Sequence, residues 1–330
     1  MSVSLLDIFN ITLPVALLTA LGFVSAWRGW FPAAAIPGFG KFVRNYALPS
    51  AIFLAVAQRS FSDVFHPGFM LAFGLASAAS VLLSLFVARG ILRTSLSLAG
   101  ILALAGGMSN GMMIGIPIVT TLYGTDALAA IAQQLLIENA VLIPFGLLLA
   151  DFGQASREDG FIRRLSQTFW GVLTNPLVLA LVLGLLVSLS GVALPLALKR
   201  SVELLAGAAG GMALMFIGVT LYGVRLRAEL RAVAPAIGIK TVLHPMFMAL
   251  AFWLVFLIWQ NAGWAPVPTM LANTSVIIAS LPTIGILPTI AARYGEEQGI
   301  SLAVLIMTVV SFFTTPLTIW LLLTFQPFAA

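Results

Sequence analysis

Three ionisable side chains stand in stretches that are otherwise apolar. Glu138 lies about twelve residues into the stretch 127–150, and Lys240 and His244 lie one helical turn apart within 233–257, just before Pro245. A charged side chain at the centre of a membrane helix costs about 2.5–3.5 kcal/mol on insertion scales, so each calls for a partner or a role. A carboxylate, an amine and an imidazole within reach of one another can take up and release a proton. The expectation is that Glu138 pairs with Lys240 or His244 and titrates as a proton-coupling site. Structural readings compete: a fixed ion pair for Glu138, snorkelling toward the headgroups for Lys240, and hydrogen-bonded packing for His244.

A second set of polar residues is uncharged and sits where glycine and proline interrupt the apolar sequence. The first interruption reads Gly106-Gly107-Met108-Ser109-Asn110-Gly111-Met112-Met113-Ile114-Gly115-Ile116-Pro117, with Tyr123-Gly124 six residues on. The second reads Ala279-Ser280-Leu281-Pro282-Thr283-Ile284-Gly285-Ile286-Leu287-Pro288, with Tyr294-Gly295 again six residues after the last proline. Matched helix breaks in the two halves of a chain point to a carrier's binding site. Lipid tolerates such breaks only where they are buried in protein or line a cavity. A half-helix that begins at a break offers its N-terminal N–H groups to an anion, worth about 0.3–2 kcal/mol. Dehydrating a carboxylate costs several kcal/mol. Direct donors must make up the difference, and Ser109, Asn110 and Thr283 are the candidates. The expected substrate-binding set is therefore Ser109, Asn110, Gly111, Met112, Met113 and Pro117 from the first break, with Leu281, Pro282 and Thr283 from the second. The first break is the more polar and should do most of the substrate reading, although Asn110 also suits a helix cap.

The elements that must carry these residues are membrane spans. Apolar residues make up 61% of the chain and charged residues 8%, unlike any soluble domain of this size. Ten stretches are long enough to cross about 30 Å of hydrocarbon: 5–26, 34–57, 68–89, 96–123, 127–150, 169–190, 200–222, 233–257, 268–293 and 299–325. The polar connection 151–168, with Arg157, Glu158, Asp159, Arg163 and Arg164, reads as a cytoplasmic linker between a first repeat (1–150) and a second (169–330). Nothing at Met1–Asp7 resembles a cleavable leader. With the N-terminus outside, inner loops hold twelve basic residues (Arg28, Lys41, Arg44, Arg89, Arg93, Arg157, Arg163, Arg164, Arg225, Arg227, Arg231, Arg293) and outer loops three (Arg59, Lys199, Arg200). That bias places both termini outside. Trp27, Trp30, Trp170, Trp259 and Trp264 suit the interfacial belt. The net charge of +5 follows from this placement and is no nucleic-acid signal.

The two halves align in order. Thr12-Leu13-Pro14 matches Thr174-Asn175-Pro176, Gly22 matches Gly184, Pro117 matches Pro288, and Pro144 matches Pro316, with Asn139 falling on Ser311. Five spans per half is an odd number, so the second half should lie inverted relative to the first. The expected fold is an all-α polytopic membrane protein of ten transmembrane helices in two five-helix inverted repeats, with broken helices 4 and 9 crossing near the midplane. Asn175-Pro176 is expected to be a kink, and Gly207, Gly210 and Gly211 to permit close helix packing.

At the breaks the chain resembles the auxin efflux carrier family. Asn110-Gly-Met-Met-Ile-Gly-Ile-Pro117 with its Tyr-Gly is similar to that family's first crossover motif, and Leu281-Pro282-Thr283 leading to Ala291-Ala292-Arg293-Tyr294-Gly295 to its second. Asn175-Pro176 with Gly184 resembles the opening of its second repeat. The resemblance implies a mobile transport domain from spans 3–5 and 8–10, a scaffold from spans 1, 2, 6 and 7, a homodimer, and small organic anions as cargo, with Asn110, Pro117 and Pro282 at the crossover. Where some members carry a polar residue after the second proline, this chain has Gly285-Ile286-Leu287.

The function expected is secondary transport of a small organic anion, a mono- or dicarboxylate such as malonate or malate, by alternating access in a bacterial cytoplasmic membrane. Without a Gly-x4-Gly-Lys-Ser/Thr segment, the drive is a proton gradient or the membrane potential. The alternatives are a sodium-coupled symporter and, in a different class, an intramembrane sensor or binding protein. Cysteine is absent and only His66 and His244 exist, which excludes thiolate chemistry and a His-Glu-x-x-His metal centre. Asp7, Asp63, Asp126, Asp151 and Asp159 lie at or beyond span ends, against aspartyl chemistry. No enzyme, cofactor or metal is expected.

Overall fold

The computed structural model describes residues 5–59, 65–153, 166, 170–171, 173–222, 230–264 and 266–328. Most of the anticipated linker, with Arg157, Glu158, Asp159, Arg163 and Arg164, lies outside the described residues, as do Asp63, Arg225 and Arg227. Among the described residues there is helix and no strand. The helices are α1 (Leu5–Trp27), α2 (36–57), α3 (Pro67–Ile91), α4 (Leu96–Gly107), α5 (111–123), α6 (128–153), α7 (Pro176–Ser190), α8 (Leu196–Leu221), α9 (Leu230–Asn261), α10 (Thr269–Ser280), α11 (Leu287–Ala292) and α12 (Glu297–Phe325). Among the described residues five helical tracts are long and apolar enough to cross a membrane: α3, the tract Leu96–Gly153, α8, α9 and α12. α7, α10 and the part of α1 from Thr12 onward are shorter apolar helices. Large apolar side chains such as Leu17, Leu204 and Phe313 face outward, as a lipid solvent requires.

The helices pack in two sets. α1 lies along α8, and α2 along both α7 and α8. In the other set α3 packs on α4 and α9, α4 on α6, and α12 on α9, α10 and α11. Glycine decides the closest contact of the first set. A methyl group on Gly218 of α8 would lie 1.9 Å from the Thr19 carbonyl oxygen of α1, and one on Gly22 would lie 2.1 Å from that of Met215. Each glycine thus meets the other helix's backbone, the close approach that small residues allow between membrane helices. Gly218→Ala should separate α1 from α8 at a cost of about 1–3 kcal/mol, read as a lower midpoint of thermal unfolding in detergent. An unchanged midpoint would contradict this packing.

Two sequence expectations shift. α7 starts at Pro176, and Asn175 is its N-cap, with its side-chain oxygen accepting from Leu177 N at 3.0 Å. The anticipated kink falls where the helical residues 170, 171 and 173 give way at Asn175 to a new helix start, asparagine before proline supplying a cap where proline has no N–H to satisfy. α8 begins at Leu196 rather than near 200, set by Pro195, whose backbone is extended. The chain also contains π-helical turns at 43–47, 87–91, 111–115, 138–142 and 239–243. Such turns carry one extra residue and are frequent at functional sites. Three of them hold Met112 and Met113, Glu138, and Lys240 respectively.

Candidate functional site

The first break is the three-residue gap Met108–Asn110 between α4 and α5. α4 reaches it through Gly106 and Gly107, where a side chain would strike Ser84 and Val81 of α3. Asn110 caps α5, its Oδ1 accepting from Met113 N at 3.3 Å. Its carbonyl accepts from the N–H groups of Ile114 and Gly115, each at 3.1 Å. Gly111 leaves room for α6, since a methyl group there would lie 2.1 Å from Gln134 Oε1. The second break, 281–286, separates α10 from α11, and Pro288 stands in the first turn of α11. The breaks touch: Asn110 N donates to the Pro282 carbonyl at 2.8 Å. After each half-helix the chain turns at a glycine of positive φ, Gly124 at 70° and Gly295 at 76°, a conformation that favours glycine over any residue with a Cβ.

Behind the breaks lies a buried polar cluster. Ser109 N donates to Glu138 Oε1 at 2.9 Å, and Gln134 Nε2 donates at 3.0 Å to both the Ser109 carbonyl and Glu138 Oε1. Lys240 Nζ donates to Ser109 Oγ at 2.7 Å and to the Ala279 carbonyl at 2.8 Å, and stands 2.8 Å from His244 Nδ1. Glu138, Lys240 and His244 are at most 2% exposed. With Lys240 charged, its three protons meet these three acceptors and His244 Nδ1 is the lone-pair nitrogen. The ring proton then sits on Nε2, which faces Ser77 Oγ at 3.4 Å. The Ala279 carbonyl belongs to the last turn of α10, where a cation is favourable. The main-chain groups of Ser109 and Asn110 are thus paired inside protein, as hydrocarbon demands.

In front of the breaks is a cavity of about 480 Å³ between the two helix sets. Asn110, Met113, Gly285 and Pro288 line it from the breaks, Lys41 and Arg44 from α2, Phe216 and Thr220 from α8, and Ser301 and Thr308 from α12. Both charged residues in its wall are cations. At another place the two helix sets are joined by an ion pair between Arg59, just past α2, and Asp126, in the turn after α5.

The residues anticipated for substrate divide accordingly. Asn110 and Met113 face the cavity. Ser109 is turned away into the cluster, so it serves the fold of the break rather than the cavity wall. Gly111 and Met112 are buried, and Pro117 stands about 3.5 Å from the space beside Gly210 of α8. Pro282 supplies the carbonyl of the crossing. Leu281 lines a separate apolar pocket of about 290 Å³ with Thr12, Ile118 and Thr315. Thr283 is buried with no partner for its hydroxyl. Glu138 and Lys240 share one cluster bridged by Ser109 without direct contact, while Lys240 and His244 touch.

Four contributors escaped the sequence reading. Gln134 lies four residues before Glu138, a spacing that puts both on one helix face and was there to be seen. Lys41 and Arg44 entered only as loop charges. The Ala279 carbonyl carries no side-chain signal at all.

Comparison with known proteins adds the following. The pattern of the family described as "Membrane transport protein" matches residues 7–321. The chain is 27% identical over 317 residues to a Rhizobium meliloti (strain 1021) protein named "Putative malonate transporter", covering 92% of each. It is 27% identical over 246 residues to "Uncharacterized transporter YfdV" of Escherichia coli (strain K12), covering 74% of this chain and 76% of the other. It is 25% identical over 233 residues to "Lysosomal cholesterol signaling protein" of Mus musculus, covering 67% of this chain and 27% of the other.

Proposed function

The chain belongs to the membrane transport protein family, that of the auxin efflux carriers, and from that premise we propose that it is a secondary carrier of a small carboxylate, such as malonate or malate, working by alternating access. The observation that carries this reading is the cavity. Its charged wall residues are Lys41 and Arg44, and Asn110 of the crossed breaks reaches it from the other helix set. Cations with a neutral amide donor suit an anion small enough to be carried dehydrated. The relative named for malonate supports the same class.

In this reading the ten spans form two inverted five-helix repeats. α1, α2, α7 and α8 are the scaffold, and the helices packed around the breaks are the moving body. The cavity opens on the face that the basic loops mark as cytoplasmic, so this conformation faces inward. Asn110 meets the substrate, while Ser109, Thr283 and their neighbours shape the crossing. The drive is the membrane potential or protons. An anion leaving an inside-negative cell gains about 2.3 kcal/mol per 100 mV and needs no coupled ion. Glu138, Lys240 and His244 are the groups through which a proton would act. The Lys240 amine already reaches from Ser109 of the first break to the Ala279 carbonyl at the end of α10, in the place a sodium ion would take.

Purified protein in liposomes should take up radiolabelled malonate or malate with saturation, and removing sodium should leave the rate unchanged. Glu138→Gln should alter the pH dependence of uptake. Uptake that follows sodium alone would promote the symporter reading, and binding without any carboxylate transport would favour a sensor.

A further inference from the structure

Both cations of the cavity wall come from one helix. Lys41 and Arg44 lie a turn apart on α2, exposed, with no carboxylate lining the cavity beside them. Arg44 Nε donates to Asn45 Oδ1 at 3.3 Å, a neutral acceptor that leaves the charge uncompensated. Lys41 has no ion-pair partner among the described residues. α2 packs on α7 and α8, whereas Asn110, Gly285 and Thr308 in the same wall belong to the other helix set. The cations and the amide are therefore attached to different bodies.

The corresponding end of α8 is built differently. Pro37-x3-Lys41 in α2 is repeated as Pro195-x3-Lys199 at the start of α8. There Lys199 pairs with Glu203 at 3.8 Å, and the residue in the place of Arg44 is Val202. One further cation, Arg200, accompanies them. The sum is one net positive charge at the α8 end against two at the α2 end.

We propose that Lys41 and Arg44 set the affinity for the carboxylate on one side of the membrane only, as the anion-collecting wall of the inward-facing cavity. The inference rests on the transport reading above and adds a sidedness to it. When the crossed breaks carry the anion to the other face, α2 stays behind, and the substrate leaves the field of both cations. A wall of one sign in a low-dielectric cleft concentrates counter-ions and raises association rates by about 10–10³-fold, and salt suppresses this because the Debye length is about 8 Å at physiological ionic strength.

The test compares inside-out and right-side-out membrane vesicles carrying the full chain, with radiolabelled malonate, malate and succinate as probes. Lys41→Gln with Arg44→Gln should raise KM about tenfold for substrate presented to the cytoplasmic face and leave KM from the other face unchanged, with the two maximal rates shifting so that the ratio of maximal rate to KM changes by the same factor in both directions, as an unaltered overall equilibrium requires. Raising salt should raise the cytoplasmic KM of the unaltered chain and leave that of the double variant flat. The conservative pair Lys41→Arg with Arg44→Lys should keep the original KM, which separates loss of charge from loss of fold. Equal KM changes on both faces, or none on either, overturn this inference while the transport reading stands. Failure of the unaltered chain to carry any of the three acids overturns both.

Discussion

Asn110→Ala should lower the kcat/KM of carboxylate uptake by about 100-fold, the largest functional loss expected of any single substitution at the breaks. Asn110 is the amide side chain that reaches the cavity, and a hydrogen bond to a charged group contributes about 1.5–3 kcal/mol. That alone accounts for a factor of about 10 to 150. The substitution also removes the acceptor for Met113 N, and loss of an N-cap costs about 0.5–2 kcal/mol. Asn110→Asp separates the two roles. It keeps the cap acceptor but sets a carboxylate against an anionic substrate, so it should fold and still fail to transport. Thr283→Ala should change uptake less than threefold, since the Thr283 hydroxyl is buried without a partner. Initial rates in liposomes, corrected for the amount of folded protein, decide the matter. If Thr283→Ala were the more damaging, the polar reading of the first break would be wrong.

The second large effect concerns stability. Lys240→Ala should destabilise the protein by about 3–5 kcal/mol, the range found when one member of a buried charged set is removed. The change strips a donor from Ser109 Oγ, His244 and the Ala279 carbonyl at once. It also leaves Glu138, at 2% exposure, without the nearby amine. Adding Glu138→Gln should restore part of the loss, because a neutral amide still accepts from Ser109 N. A double-mutant cycle on thermal or denaturant unfolding in detergent measures the coupling, expected at about 1–3 kcal/mol for residues of one network. Strict additivity would mean that the two charges act independently despite sharing Ser109.

Much of the scaffold was readable because lipid leaves few choices. Long apolar stretches announce helices, and glycine with proline announces their interruptions. Gly124 and Gly295, each closing its motif after the last proline, stand at positive φ. The two breaks could be located from residue types alone, and they meet at Asn110 and Pro282. What stayed hidden was direction. Ser109 and Asn110 are neighbours of equal polarity, yet one serves the buried cluster and the other the cavity. Both stand in the non-helical stretch 108–110, where no helical period fixes which way successive side chains turn. The bridging of Glu138 and Lys240 through Ser109 escaped for a similar reason. Depth along a helix follows from counting residues, but the azimuth of a side chain across three helices follows only from packing.

The bond from Asn110 N to the Pro282 carbonyl is made by two main-chain groups. No substitution at 282 can erase its acceptor, and at 110 only proline can erase its donor. Natural variation is therefore free to retune the side chains around the crossing for new cargo without unfastening the joint. However far the two halves of the gene drift apart, the place where they are riveted together is written in the one part of the polypeptide that mutation scarcely reaches.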